Sequence, residues 1–381
     1  PLGKSDFSLK TGKSVNVNIW FFMQRLNVIK HHVNLKYGLG LELNNYRYKS
    51  SISYLERNPF TPNLTPAPVI IRDSVSFKKN KLAMASLIVI IIIMIFAFVG
   101  PYFYPYSYEQ QIRESENLGI MQYSEEELAR IEAGEKVFPH ILGTDSLGRD
   151  LMVRIMVGSR ISLLVGIVAS VIILVIGSIY GAIAGYFGGK VDMIMMRIVD
   201  IIYTVPDILI IILLSVTLKY PLKDLADNVK AFSWINTVGI GLISIFIVFS
   251  LLYWVGMARI VRSQVLTLKE QEYVVAAKAL GASHSRIIRK HLLTNSIGTL
   301  IVTTTLQIPS SIFTESFLSF LGLGVSAPMP SLGSLASQAI GGIKSYPHRL
   351  MAPAVVISLI ILSFNLLGDG LRDAFDPRLK D

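Results

Sequence analysis

Six stretches of this sequence are apolar enough to cross a lipid bilayer, and they constrain the fold more than any other feature. A helix needs roughly 20 residues, most of them apolar, to span the hydrocarbon core. Apolar residues make up 52% of the 381 residues and charged residues only 16%, whereas soluble domains carry about one quarter charged. The pattern predicts an all-α integral membrane protein with six transmembrane helices. The predicted spans are residues 82–99, 161–187, 195–218, 238–257, 296–321 and 352–367.

The charged residues predict how these spans are oriented. Three lysines immediately before the first span indicate a cytoplasmic amino-terminal side. The segment 259–291 carries seven Lys/Arg against Glu270 and Glu272, so it is also expected inside, and an even number of spans places both termini there. The segment 108–137, with eight glutamates, is expected outside. The predicted divisions are a partly disordered cytoplasmic arm (1–77), a first transmembrane helix (78–100), an extracellular loop (101–158), a core domain (159–371) and a cytoplasmic tail (372–381).

The composition argues against several other functions. The net charge of +10 comes from bases at the ends of apolar segments, which is typical of membrane orientation and not of nucleic-acid binding. With no cysteine, neither a thiolate metal site nor a cysteine nucleophile is possible. The sequence has no Gly-x-x-x-x-Gly-Lys loop for ATP phosphates, no His-Glu-x-x-His and no Gly-x-Ser-x-Gly. We therefore expect no catalytic residue, metal site or cofactor in this chain, and no nucleic-acid partner.

The basic segment 259–291 has the features of a docking element. Two alanines, Ala276 and Ala277, are followed by Gly281, so one helix can end near the glycine and a second can begin near Ser283. A short helical hairpin with a small-residue surface suits a groove on a soluble partner. The residues predicted to make this contact are Glu272, Ala276, Ala277, Gly281, Ala282 and Arg286.

Two further features lie inside the spans. Gly177, Gly181 and Gly185 recur every four residues, which permits close helix packing, either within this chain or against a second membrane subunit. Asp207 follows Pro206 in the third span, and Glu315 lies in the fifth. Because an acid inside a span normally faces protein or water, both are candidates for a translocation path, although Glu315 also suits a structural hydrogen bond.

Four blocks of residues occur in order along the chain. They are His140-Ile-Leu-Gly143-Thr-Asp145-Ser-Leu-Gly148-Arg149-Asp150, Gly185-Tyr-Phe-Gly188-Gly189, the Ala276-Ala277…Gly281 loop, and Phe317-Leu-Ser-Phe-Leu-Gly-Leu-Gly324 with Gly368-Asp369-Gly-Leu-Arg372-Asp373. With these blocks the chain resembles the inner-membrane permease subunits of bacterial ABC peptide importers, of the oligopeptide/dipeptide type, and specifically the C subunit. The resemblance covers about Lys78 to Lys380 and leaves the first 70 residues unmatched.

The resemblance implies a type I importer fold in the bacterial inner membrane, with a sister permease as partner. It also implies two cytoplasmic ATPases that bind ATP and Mg²⁺, coupled through segment 259–291, and an extracellular lipoprotein that delivers peptide. The chain departs from the family pattern at three positions. Val275 stands where a glutamate is usual, Thr294 where a proline is common, and Asp207 where a small residue is more frequent.

Alternatives remain at two levels. Within the family, a dipeptide or a nickel chelate are other substrates, because related permeases look alike. In a different class, a self-sufficient channel or secondary transporter would use Asp207 and Glu315 to carry protons or ions. Segment 259–291 favours a subunit that is driven by partner ATPases, because a channel or secondary transporter that works alone needs no docking hairpin.

Overall fold

The computed structural model describes residues 80–325 and 329–375 together with Phe77, and this part of the chain is helical without a β-strand. Most of the predicted arm 1–77 and the last six residues of the tail lie outside the described residues. The longer helices are α1 (Lys81–Phe98), α2 (Glu125–Glu132), α3 (Leu151–Phe187), α4 (Gly189–Thr204), α5 (Asp207–Asn228), α6 (Ile240–Leu268), α7 (Glu272–Ala279), α8 (His284–Phe320), α9 (Leu332–Ala339) and α10 (His348–Phe375). Shorter helical pieces are Gly100–Phe103, Lys230–Phe232, Trp234–Val238 and Ile340–Gly342.

By length and composition, five of the described helices can cross a membrane, and a bent pair makes six if it counts as one span. The five are α1, α3, α6, α8 and α10, and the bent pair is α4 with α5. The six predicted spans therefore correspond to these elements. Two helices contain wide turns of the π type, at Phe249–Tyr253 in α6 and Ile287–Leu293 in α8.

The third predicted span is not one straight helix, which corrects the sequence-based expectation for residues 195–218. The chain bends by 86° between α4 and α5. Val205 is extended (φ −89°, ψ 135°), as expected for a residue that precedes proline. Pro206 has no N–H to donate into the preceding turn, so the helix stops and restarts at Asp207.

The loop predicted to end at residue 158 ends earlier, and α3 begins at Leu151. The side chain of Asp150 caps this helix by accepting a hydrogen bond of 3.0 Å from the backbone N–H of Val153. A carboxylate at this position satisfies an otherwise free donor and favours the positive end of the helix dipole. The last helix, α10, is likewise longer than the predicted span 352–367.

The glycine stripe packs inside this chain, between α3 and α6. A Cβ atom built on Gly177 would lie 2.6 Å from Cβ of Met257, and one on Gly185 would lie 2.9 Å from the carbonyl oxygen of Arg262. Gly181 faces the backbone of Ala258 just as closely. These spaces are too small for any side chain, so the two helices touch through their backbones. The contact takes up the glycines, leaving none of the three for packing on a second subunit.

Candidate functional site

The basic hairpin, which we define as residues 269–291, extends from the end of α6 through α7 into the start of α8. Only Val274 of α7 is fully buried. The α7 helix ends at Gly281, whose φ of +80° is a conformation that favours glycine. The N–H of Gly281 donates to the carbonyl of Lys278, and that of Ala282 to the carbonyl of Ala277, each at 3.0 Å. This is the Schellman pattern of helix termination, and it matches the helix end predicted from the sequence.

The hairpin is attached to the membrane-spanning helices on one side. Val274 and Ile287 belong to the same buried cluster as residues of α3 and α6. The hydroxyl of Tyr186, at the end of α3, lies 2.7 Å from Nδ1 of His284. Lys269 donates to the carbonyl of Gly185 at 3.1 Å. A displacement of α7 would therefore be transmitted to α3 and α6.

The other side of the hairpin is exposed and partly apolar. Leu280 is 80% exposed and Val275 is 56% exposed. Of the residues predicted to dock, Glu272, Ala276, Gly281 and Arg286 are exposed, whereas Ala277 and Ala282 are half-buried. The free face of α7 therefore centres on Val275, Ala276 and Leu280, not on the pair Ala276 and Ala277. Leu280, which was not among the residues predicted to dock, is the most exposed large apolar side chain of the hairpin.

Two ion pairs join α6 to α4 next to the hairpin. Arg262 donates to both carboxylate oxygens of Asp192, at 2.5 and 2.6 Å, and such paired bonds fix geometry well. Arg259 donates to Asp200 at 2.8 Å, and its guanidinium lies 4.3 Å from the ring centre of Tyr203. These basic residues of segment 259–291 thus hold α4 against α6 and are not part of the exposed face.

A polar cavity of about 630 Å³ lies at the break between α4 and α5. Asp207, the first residue of α5, lines it and is exposed. The facing walls come from α6, through Tyr253, and from α8, through Gln307 and Ser310. The predicted path residue Asp207 thus borders an open space in this chain. Its polar neighbours on α6 and α8 were missed by the sequence analysis, because their grouping depends on how three helices pack.

Glu315, the other path candidate, does not line this cavity. Its side chain is fully buried, and its carboxylate accepts hydrogen bonds of 2.7 Å from both Ser162 of α3 and Ser319 of α8. Ser316 donates to it at 3.2 Å. Neutral hydroxyl donors on two helices surround the carboxylate, an arrangement that ties α3 to α8.

At the opposite end of α3 lies the acidic loop, which we define as residues 104–150. His140 is fully buried here, with Nδ1 2.7 Å from Asp150 and Nε2 3.1 Å from Glu127. The ring of Tyr106 stacks on the imidazole at 4.4 Å. Burial acts to lower the pKa of His140, but the hydrogen bonds and charges of Asp150 and Glu127 outweigh it and raise the pKa above its ordinary value. Both ring nitrogens can donate to carboxylates only in the imidazolium form.

A second buried charge cluster ties the acidic loop to the helices. Asp145 accepts a hydrogen bond of 2.8 Å from Arg149 and another from Arg154 of α3, which is 2% exposed. Arg149 also reaches Gln338 of α9 at 3.4 Å. Arg349 of α10 donates to Asn117 at 2.6 Å. The loop is therefore fixed to three helices by charged hydrogen bonds.

Bilayer-length helices, an open cavity lined by both polar and apolar residues, and an exposed basic hairpin are features expected of a membrane transporter subunit. Comparison with known proteins gives the family. The profile of the binding-protein-dependent transport system inner membrane component matches residues 177–381, and that of the N-terminal transmembrane domain of oligopeptide transport permease C matches residues 74–119. The chain belongs to the binding-protein-dependent transport system inner membrane component family, and its helices form the type I ABC importer permease fold.

Individual relatives agree with this assignment. The oligopeptide transport system permease protein OppC of Bacillus subtilis is 42% identical over 337 residues, covering 86% of this chain and 99% of that protein. The dipeptide transport system permease protein DppC of Bacillus subtilis is 44% identical over 304 residues, covering 80% and 84%. OppC of Escherichia coli K12 is 37% identical over 302 residues, covering 79% and 89%.

Proposed function

We propose that this chain is the permease subunit of an ATP-driven importer that moves oligopeptides into the bacterial cytoplasm. It pairs with a sister permease, receives peptide from an extracellular binding lipoprotein, and is driven by two ATPases that bind the ATP and Mg²⁺. The observation that carries the proposal is the exposed face of α7, attached on its inner side to α3 and α6. An element built in this way passes motion between a soluble partner and the membrane helices.

Within this proposal, Leu280 is the main anchor of the ATPase contact. Its side chain is 80% exposed, and burying an exposed leucine contributes about 1.5–3 kcal/mol. Lys278 and Arg286 are also exposed in the hairpin, and their positive charges would attract an acidic partner surface. Energy from ATP hydrolysis would then enter the membrane helices through Val274 and Ile287.

The test is reconstitution of this chain with its candidate sister permease, ATPases and binding protein in proteoliposomes. Peptide-stimulated ATP hydrolysis and peptide uptake are both measured. Leu280→Glu should reduce stimulation and co-purification of the ATPases about ten-fold or more, the effect of losing one buried apolar anchor. Leu128→Glu changes a leucine that is 47% exposed in the acidic loop and should leave ATPase binding intact. Full ATPase binding by Leu280→Glu would contradict the proposed docking face.

Substrate size is tested in the same vesicles. Relatives named for oligopeptide and for dipeptide transport match this chain with similar identity, so dipeptides are the nearest competing substrate. We expect tri- to pentapeptides to support faster uptake than dipeptides when each is supplied on the binding protein. A preference for dipeptides, or uptake of chelated nickel alone, would reassign the substrate but not the coupling mechanism.

Orientation is part of the proposal, with both termini and the basic hairpin in the cytoplasm. The sequence contains no cysteine, so single cysteines report sidedness without background. An impermeant maleimide applied to intact cells should label Ala129→Cys and spare Ser285→Cys, both at exposed positions. The opposite pattern would invert the topology.

A further inference from the structure

The cavity beside Asp207 is bordered by a break between two helices, a π turn in a third and a proline in a fourth. The chain breaks at Val205–Pro206 between α4 and α5, and α6 widens into a π turn at Phe249–Tyr253. The third wall, α8, contains Pro309 between the cavity residues Gln307 and Ser310. Irregular backbone at membrane depth is tolerated where it is buried in protein or lines a water-filled space, and π turns frequently mark functional positions. The coincidence of all three at one cavity indicates a built site.

The depth of Asp207 in the bilayer follows from α5 if that helix runs along the membrane normal. The first charged residue after it on α5 is Lys219, twelve residues further on, which corresponds to about 18 Å along a helix. With that lysine at the surface of a hydrocarbon core about 30 Å thick, Asp207 would lie roughly half-way through the core. A carboxylate at that depth is costly unless it faces protein or water, or a cation stabilises it.

No basic residue of the described part of the chain neutralises this carboxylate. Within those residues no lysine, arginine or histidine nitrogen lies within 4.0 Å of Asp207. Arg259, whose guanidinium stacks on the cavity residue Tyr203, is engaged by Asp200. Asp207 is the only charged residue among those that line the cavity, whose other polar groups are neutral. The cavity therefore presents one negative charge and no positive charge.

We propose that Asp207 binds a positively charged group of the peptide, an ammonium or a guanidinium, during translocation. This inference rests on the proposed import function and names a specificity determinant for it. The neutral polar groups of Tyr253, Gln307 and Ser310 on the opposite walls suit the N–H and C=O groups of a peptide backbone. A space of about 630 Å³ falls within the 300–1,000 Å³ typical of small-ligand sites. The positive charge comes from either the amino terminus or a basic side chain.

Uptake of three tripeptides that differ only in charge tests the proposal. Ala-Lys-Ala, Ala-Gln-Ala and Ala-Glu-Ala are each loaded on the binding protein beforehand, so that its own selectivity does not enter. Asp207→Asn should lower uptake of Ala-Lys-Ala about ten-fold, the effect of one lost charged hydrogen bond, and Asp207→Glu should retain most of it. If the bound group is a side chain, the other two peptides change little; if it is the amino terminus, all three fall together.

Two further variants test whether reduced uptake by Asp207→Asn could result from misfolding. Asp224→Asn removes the same charge from an exposed position of the same helix, about 25 Å from Asp207, and should transport all three peptides normally. Ser310→Lys leaves Asp207 in place but adds a positive charge to the cavity wall, and should lower uptake of Ala-Lys-Ala in the same way as Asp207→Asn. The assembled complex is quantified for each variant.

The outcomes separate this inference from the proposed function. If the wild-type complex imports none of the peptides, the proposed function has failed. If the wild type imports them and both Asp207→Asn and Ser310→Lys leave all three rates unchanged in fully assembled complexes, Asp207 binds no peptide charge. Uptake driven by a proton or sodium gradient without ATP would overturn both conclusions.

Discussion

The acidic loop and the basic hairpin lie at opposite ends of α3 and differ in how they are stabilised. In the acidic loop, His140 is fully buried between two carboxylates, and Asp145 pairs with the buried Arg154 of α3. In the basic hairpin, α7 buries only Val274 and leaves Leu280 80% exposed. The loop pairs its buried charges internally, whereas the hairpin carries Leu280, the most exposed large apolar side chain of the two segments. Internal contacts thus suffice to order the loop, and the hairpin is shaped for a contact that another molecule completes.

This contrast predicts where substitutions will act. A change in the acidic loop should cost folding or assembly, because it strands a buried charge or an unpaired donor. A change on the free face of the hairpin should cost coupling and leave stability nearly intact, since surface substitutions usually alter stability by less than about 0.5 kcal/mol.

The largest effect is expected for Asp145→Ala. The substitution leaves the buried guanidinium of Arg154 without its carboxylate, and breaking a buried ion pair from one side typically costs about 3–5 kcal/mol. We expect a sharp fall in the yield of folded complex, measured by fluorescence-detected size exclusion in detergent.

The matched control is Arg130→Ala in the same loop. Arg130 pairs with Glu135 at 2.7 Å, but both side chains are more than half exposed, and exposed pairs contribute little to stability. Equal yields of Asp145→Ala and Arg130→Ala would mean that the buried cluster does not order the loop, and the contrast between the two segments would fail.

A second effect is expected from pH, through His140. Its pKa is raised in the folded loop by Asp150 and Glu127, against the lowering effect of burial. Stability from this group is therefore fully present below the unfolded pKa of 6.5 and is lost as the pH rises through the higher folded value. Tyr104 and Tyr106 do not ionise in this window, because burial and the neighbouring carboxylates raise the pKa of each.

Hydrogen exchange of residues 104–150 measures this dependence. At each pH the wild type is compared with His140→Gln, which cannot titrate, so that the intrinsic effect of pH on exchange cancels. The protection that the wild type gains over the variant should be greatest below pH 6.5 and should shrink at alkaline pH. A difference that stays constant between acidic and alkaline pH would show that His140 does not titrate in this range and would contradict the prediction.

The sequence predicted those features that depend on local patterns. Apolar runs marked the membrane-spanning elements, and the four-residue glycine spacing marked the close packing of α3, which occurs within this chain against α6. The position of Gly281 after two alanines marked the end of α7. In each case the signal lies within one helix or one turn, where spacing alone determines which residues share a face.

What the sequence did not predict depends on contacts between distant segments. The partners of His140, Glu127 and Asp150, are 13 and 10 residues away from it in a loop without periodicity. No sequence pattern therefore indicates these contacts. The residues on either side of the 86° bend at Pro206 were predicted to form one straight span. Composition does not distinguish a broken helix from a regular one. The polar residues that line the cavity come from several helices. How these helices align with one another depends on tertiary packing, which sequence patterns within one helix do not predict.

The sharpest test of the hairpin, with a smaller expected effect on stability than Asp145→Ala, is at Gly281. Its φ is +80°, and a Cβ built there would meet no atom of this chain within 4 Å, so any penalty within the chain is backbone strain alone. An ordinary L-residue in the left-handed region costs about 1–2 kcal/mol, which should fray the end of α7 without unfolding the protein. Gly281→Ala and, more strongly, the branched Gly281→Val should therefore reduce peptide-stimulated ATP hydrolysis at normal complex yield. Asparagine tolerates this conformation, so Gly281→Asn should retain coupling if strain is the cause. If Gly281→Ala retains coupling and the larger Gly281→Asn abolishes it, backbone strain is not the cause. The result would then mean that a partner packs closely against this position and has no room for a larger side chain.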